Sequence, residues 1–94
     1  MARYYILDAK EQERIGDLLG SFTVACEHFH KHLAASNEPP SALLEAYFRA
    51  RLQVMFMENM EYEYPNIADS PIFQSVHSDM LEMLGGLSKG IKIA

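Results

Sequence analysis

A chain of 94 residues has room for one domain with one modest core, and 49% hydrophobic with 22% charged residues is typical of a folded protein. The 13 Asp and Glu residues outnumber the 8 Lys and Arg residues, and the net charge of −5 argues against nucleic-acid binding, which needs a basic surface. The single cysteine, Cys26, excludes an intrachain disulfide and is compatible with a reducing compartment, so we expect a cytoplasmic protein. Because no long uncharged apolar run is present, we expect no association with a membrane.

The first predicted helix runs from residue 9 to residue 35. Asp8 and Glu11 have the spacing of a capping box, in which each side chain accepts a hydrogen bond from the backbone amide of the other residue. Apolar residues and one histidine then recur at steps of three and four: Ile15, Leu18, Leu19, Phe22, Ala25, Cys26, Phe29, His32 and Leu33. Gly16 and Gly20 lie one turn apart, and they indicate either a late start or bend in the helix or a close crossing with a neighbour.

The second predicted helix runs from 41 to 62 and is apolar around most of its circumference. One row holds Leu44, Phe48, Leu52, Met55 and Tyr62, and the row beside it holds Leu43, Tyr47, Ala50, Val54 and Met57. Phe56 and Met60 fall on what should be the polar face, where they would leave an exposed apolar patch. A helix with one side in water needs only one apolar stripe, so this helix is either central in the fold or shared with another chain.

The third predicted helix runs from 71 to 85. Ser70 is its expected N-cap, Pro71 suits its first position, and the helix is expected to end at Gly85 with Gly86 or shortly after. The segments 3–7 and 91–94 have strand-like composition and could pair as a two-stranded ribbon, within one chain or across a dimer. Short connections favour antiparallel neighbours, so the sequence predicts a single all-α domain over 1–94: a three-helix up-down bundle with short extended termini, completed by dimerisation through the second helix.

A weak metal-binding pattern occupies the end of the first helix. Glu27 and His30 have the Glu-x-x-His spacing of helical di-iron proteins, and His28 and His32 are one turn apart. A second copy of the motif would have to come from a dimer, because this chain holds only one. The alternative is a solvated helix end, where histidines suit the helix dipole.

Four polar residues interrupt the apolar stripes of the three helices: His32, Arg51, Asn59 and His77. Such residues reach the rim of the fold, form an interior polar network, or line an interface, because a buried charge is costly unless it is paired. If they converge, they would fix the register of a dimer or bind a small anion. A catalytic pocket around His32, Arg51 and His77 is the least favoured reading, because the sequence names no reaction and no cofactor.

The stretch from 52 to 60 carries the main functional prediction. Its apolar side chains, predicted as partner-binding residues, are Leu52, Val54, Met55, Phe56, Met57 and Met60. Methionine-rich surfaces adapt to protein partners. The segment 52–88 contains six acids and no Lys or Arg, which favours a partner with basic residues around a hydrophobic groove. We therefore expect a small non-catalytic interaction module, such as a regulator, antagonist or chaperone. Self-association through the same surface remains open, and the alternative function is a metal-binding helical protein.

Overall fold

The computed structural model describes residues 5–35 and 40–91, with the side chain of Pro40 excepted. These residues form three α-helices, α1 (Ala9–Ala34), α2 (Pro40–Glu63) and α3 (Pro71–Gly90), and one short 3₁₀ turn, Ile67–Asp69. The all-α prediction is confirmed. The predicted terminal strands are not seen at 5–7 or at 91, and their other positions lie outside the described residues.

The helix α1 begins with the predicted capping box. The amide of Glu11 donates to Asp8 Oδ1 at 2.8 Å, and the amide of Asp8 donates to Glu11 Oε1 at 2.9 Å. Two backbone donors that the first turn leaves without helical partners are therefore satisfied by side chains. Glu11 itself is buried, so the cap also packs into the fold rather than only closing a solvent-exposed helix end.

The helix α3 begins as predicted but ends later. The hydroxyl of Ser70 accepts a hydrogen bond from the amide of Phe73 at 3.3 Å, and Pro71 occupies the first helical position. The helix continues to Gly90, so the glycine pair does not end it and the bound predicted at residue 85 is five residues too early.

The reason for the longer α3 is packing beyond the glycine pair. Leu87 is buried in the core, and Gly90 lies against the ring of Phe29 in α1. Each helical glycine costs about 1 kcal/mol relative to alanine, whereas burying a leucine side chain contributes about 1.5–3 kcal/mol. The burial of Leu87 therefore offsets much of the cost of the glycines and favours continuation of the helix past them.

Contacts at one end of the bundle define its topology. Arg14 near the start of α1 forms an ion pair with Glu63 at the end of α2, with 3.4 Å between Nη2 and Oε2. The amide of Tyr5 donates to the carbonyl of Asp69, just before α3, at 3.3 Å. The start of α1, the end of α2 and the start of α3 thus lie together, which gives the predicted up-down-up order. The bundle is elongated, with principal extents of 53 × 23 × 19 Å.

The core lies along the junction of the three helices, and α1 and α2 form its most extensive interface. The close crossing considered for Gly16 and Gly20 is not present, because the space where each would carry a Cβ holds no other atom within 4 Å. No helix in the described part of the chain is long and apolar enough to cross a bilayer. The buried apolar residues are Leu7, Ile15, Phe22, Ala25, Cys26, Phe29, Ala46, Ala50, Val54, Met57, Met60, Ile67, Phe73, Met80 and Leu87.

Candidate functional site

The two sides of α2 differ in burial although both are apolar. One side contributes Ala46, Ala50, Val54 and Met57 to the core. The opposite side is a row of large apolar side chains that remain partly in solvent, which we call the α2 outer face. Its members are Leu44 (38% exposed), Phe48 (53%), Leu52 (43%) and Met55 (49%).

The helical repeat explains why these four residues form one row. They follow one another at steps of three and four, which keeps successive side chains on the same face of a helix. The row extends past the exposed Asn59 to Tyr62, which is 86% exposed, and Phe56 flanks it at 38%. From Leu44 to Tyr62 the row runs about 27 Å along the axis, at a rise of about 1.5 Å per residue.

One edge of the α2 outer face is bounded by an ion pair. Arg49 Nη2 lies 2.7 Å from Glu45 Oε1, one helical turn away, and both side chains are mostly exposed. A shallow groove of about 490 Å³ runs beside this pair. Its lining is Ser41, Leu44, Glu45, Phe48, Arg49 and Leu52.

The other edge carries Arg51 and Glu58. Both residues are exposed, and neither has an ion-pair partner among the residues that the structure describes. They are about two turns apart on the same side of the row, so an unpaired cation stands in the first half of α2 and an unpaired anion in the second.

The predicted partner-binding residues divide into two groups. Phe56 is exposed as expected, and Leu52 and Met55 are exposed as well, although Met55 also suited a core position in the sequence. Val54, Met57 and Met60 are buried, and the expectation that Met60 is exposed is wrong. The physical reason is the chain beyond α2.

Met60 and Ile67 of the 3₁₀ turn belong to the same buried cluster. The turn also contacts α2, so the core extends to the end of that helix, where Met60 lies. Sequence reasoning also missed the contribution of Leu44 and Phe48 to the exposed surface. The first apolar row of the helix, which contains both residues, was the sequence pattern that could have indicated it.

The four polar residues of the apolar stripes do not assemble into one site. Arg51 and Asn59 are exposed, so an interior network that includes them is wrong. His32 is half-buried beside a cavity of about 270 Å³, in which the neighbouring cation is Arg49 and not Arg51. His77 is half-buried and stacks on Phe73, with ring centroids 6.0 Å apart and an interplanar angle of 27°.

The described residues of one subunit form neither the predicted metal site nor a reactive cysteine. Glu27, His28 and His30 are exposed, and the described residues contain no group of three or more His, Cys, Asp or Glu able to hold a metal ion. Burial, and to a smaller extent the charge of Glu27, raises the pKa of the Cys26 thiol above its ordinary value. Because the thiolate is the reactive form, this buried cysteine is a poor nucleophile.

A second groove follows the open side of the interface between α1 and α2. It has a volume of about 680 Å³, and its lining includes Gly16, Gly20, Val24, Arg49 and Gln53.

Searches of protein-family models, of curated proteins and of solved structures found no match to this chain. Among the described surfaces, the α2 outer face is the one that combines large exposed apolar side chains in a continuous row with unpaired charges at its edge.

Proposed function

We propose that this chain is a non-catalytic protein-interaction module that docks its α2 outer face against another polypeptide. The observation that carries the proposal is the exposure of Leu44, Phe48, Leu52 and Met55 on a helix whose opposite side already forms the core. Single exposed apolar residues are ordinary on protein surfaces, but a continuous row of them marks an interaction site.

The side-chain types of the face suit protein recognition. Phe48 supplies a large aromatic anchor, and Met55 supplies a flexible thioether that adjusts to the partner's shape. Fully burying each such side chain contributes about 1.5–3 kcal/mol, which the cost of association then reduces. The arrangement corresponds to helix-mediated recognition, in which residues at steps of three and four enter an apolar groove.

The charges around the face limit which partners fit. The second half of α2 and the outside of α3 carry exposed acids and no exposed cation before Lys89, among them Glu58, Glu61, Asp79 and Glu82. A partner surface that meets Glu58 therefore needs a basic residue opposite it, because like charges brought together at an interface oppose binding.

Site-specific photo-crosslinking in cells tests this function. A photoreactive amino acid replaces Phe48, and in a control chain it replaces Ser75, an exposed residue of α3. We expect polypeptide adducts from position 48 and none above background from position 75. Equal adducts from the two positions would contradict the proposal.

A matched pair of methionines makes the same experiment specific to the α2 outer face. Met55 is 49% exposed on this face, and Met83 is 48% exposed on α3. Met55→Asp should abolish the adducts from position 48, because it places a charge in the apolar contact, whereas Met83→Asp should leave them. Adducts that survive Met55→Asp would show that the face is not the docking surface.

A further inference from the structure

We infer that the occupant of the α2 outer face is a second copy of this chain, packed with its α2 antiparallel to the first about a two-fold axis near Met55. This inference rests on the proposed function and specifies its partner. In this arrangement Arg51 of each chain faces the partner's Glu58, so that one two-fold contact contains two ion pairs.

The distribution of charge along one edge of the face supports the antiparallel orientation. Arg51 and Glu58 lie on the same side of the apolar row, and neither has an ion-pair partner in the described part of the chain. In an antiparallel pair of helices related by a two-fold axis, the same edge of each helix lies on the same side of the interface, and the two edges run in opposite directions. Each Arg51 therefore lies opposite the partner's Glu58. In a parallel pair about a two-fold axis along the helices, opposite edges of the face meet, so Arg51 and Glu58 would lie against the partner's other edge and would form no ion pair with each other.

The same register also matches the apolar residues. Placing Arg51 opposite the partner's Glu58 centres the two-fold axis between positions 54 and 55. Met55 then lies against the partner's Met55, and Phe48 lies against the partner's Tyr62. Tyr62 is the most exposed side chain of the row, and this register gives it an aromatic neighbour.

A second copy fits the requirements of the face better than an unrelated basic partner. The face needs an apolar row about 27 Å long, with an acid opposite Arg51 and a base opposite Glu58. The chain itself supplies all three in one continuous surface. A contact of one patch with its own copy about a two-fold axis is also the commonest form of symmetric oligomer.

A charge-swap series, measured by sedimentation equilibrium at low salt, tests the inference. We expect Arg51→Glu and Glu58→Arg each to raise the dimer dissociation constant about tenfold, since two exposed attractive pairs become repulsive. The double variant with both changes should return to within about twofold of the wild type, because each pair is restored with its signs reversed.

Matched controls use exposed charges outside the face. Lys31→Glu and Glu13→Arg on α1 make equal changes in net charge and should leave the dissociation constant within about twofold of the wild type. Circular dichroism of every variant should show unchanged helix content, so that a change in association is not a change in folding.

The possible results separate this inference from the proposed function. A wild-type chain that is monomeric at about 100 μM, or a double variant that binds no better than the single variants, overturns the antiparallel dimer. If the adducts from position 48 then contain a different protein, the interaction module stands and the second copy does not. If position 48 forms no adducts at all, both fail.

Discussion

The hydroxyl of Tyr5 donates a hydrogen bond to Glu11 Oε1 at 2.7 Å, and the same oxygen accepts from the backbone amide of Asp8 at 2.9 Å. The carboxyl group of Glu11 is buried, and these two hydrogen bonds join the segment before α1 to the first turn of the helix. The hydrogen bond to Glu11, together with desolvation and the charges of Glu11 and Asp8, raises the pKa of Tyr5 from 10.0 to about 12.

This raised pKa predicts a loss of stability in strong alkali. Below pH 10 the tyrosine keeps its proton in both the folded and the unfolded chain, and the hydrogen bond is fully present. As pH rises from 10 towards 12, the unfolded chain releases this proton first, so the free energy of unfolding decreases. We expect Tyr5→Phe to flatten this decrease, as measured by urea unfolding at several pH values. Tyr62→Phe, which changes an exposed tyrosine, should keep the wild-type slope, and an unchanged slope in Tyr5→Phe would contradict the assignment.

Truncation of two methionines of α2 should change the free energy of unfolding by very different amounts. Met60 is fully buried, so Met60→Ala should lower the free energy of unfolding by about 2–5 kcal/mol. Met55 is half exposed, so Met55→Ala should change it by less than about 0.5 kcal/mol when urea unfolding is measured on the dilute, dissociated chain. Similar losses for the two variants would mean that the burial of α2 is described wrongly.

The glycines of α3 should differ according to the space around them. A Cβ at Gly85 or Gly86 would meet no other atom within 4 Å, so alanine there should stabilise the helix by about 0.5–1 kcal/mol per site. A Cβ at Gly90 would lie 3.3 Å from Cε1 of Phe29, which offsets that gain. Thermal unfolding should show higher midpoints for the first two variants only. An equal rise for Gly90→Ala would argue against the tight contact with Phe29.

We expect the fold to tolerate an aromatic apolar side chain in place of His77. Its Nε2 is buried and has no hydrogen-bond partner among the described residues, while its ring stacks on Phe73. His77→Phe should leave the free energy of unfolding unchanged or slightly higher, because the ring contact remains and the unsatisfied nitrogen is removed. His77→Ala should lower it by about 1–2 kcal/mol, because the ring contact is lost. Chemical denaturation of the two variants distinguishes a packing role from a hydrogen-bonding role, for which His77→Phe would be the more harmful change.

Features set by a few neighbouring residues were predictable from the sequence. The cap of α1 by Asp8 and Glu11 and the cap of α3 by Ser70 are as predicted, because each is a hydrogen bond across three residues. The end of α3 was not predictable in the same way. The glycine pair is a local signal, whereas the burial of Leu87 depends on helices distant in sequence.

The candidate site was predictable only in part for the same reason. The sequence correctly indicates more apolar surface on the second helix than one core can cover, but it does not say which of two rows is inside. Packing decides this: the side that carries Ala46 and Ala50 is buried against the other helices, and the side of Phe48 is left outside. Met60 shares its core with Ile67 of the 3₁₀ turn, which lies beyond the helix in the sequence.

An odd number of helices places the two described ends of this chain at opposite poles. Tyr5 lies beside Asp69 at one pole, and Gly90 reaches Phe29 near the other. Fluorescent labels attached near the amino end of one molecule and the carboxyl end of another would be drawn together by head-to-tail pairing of α2, whereas two amino-end labels would stay far apart. The distance between labels on two molecules would therefore report whether the two α2 helices pack antiparallel.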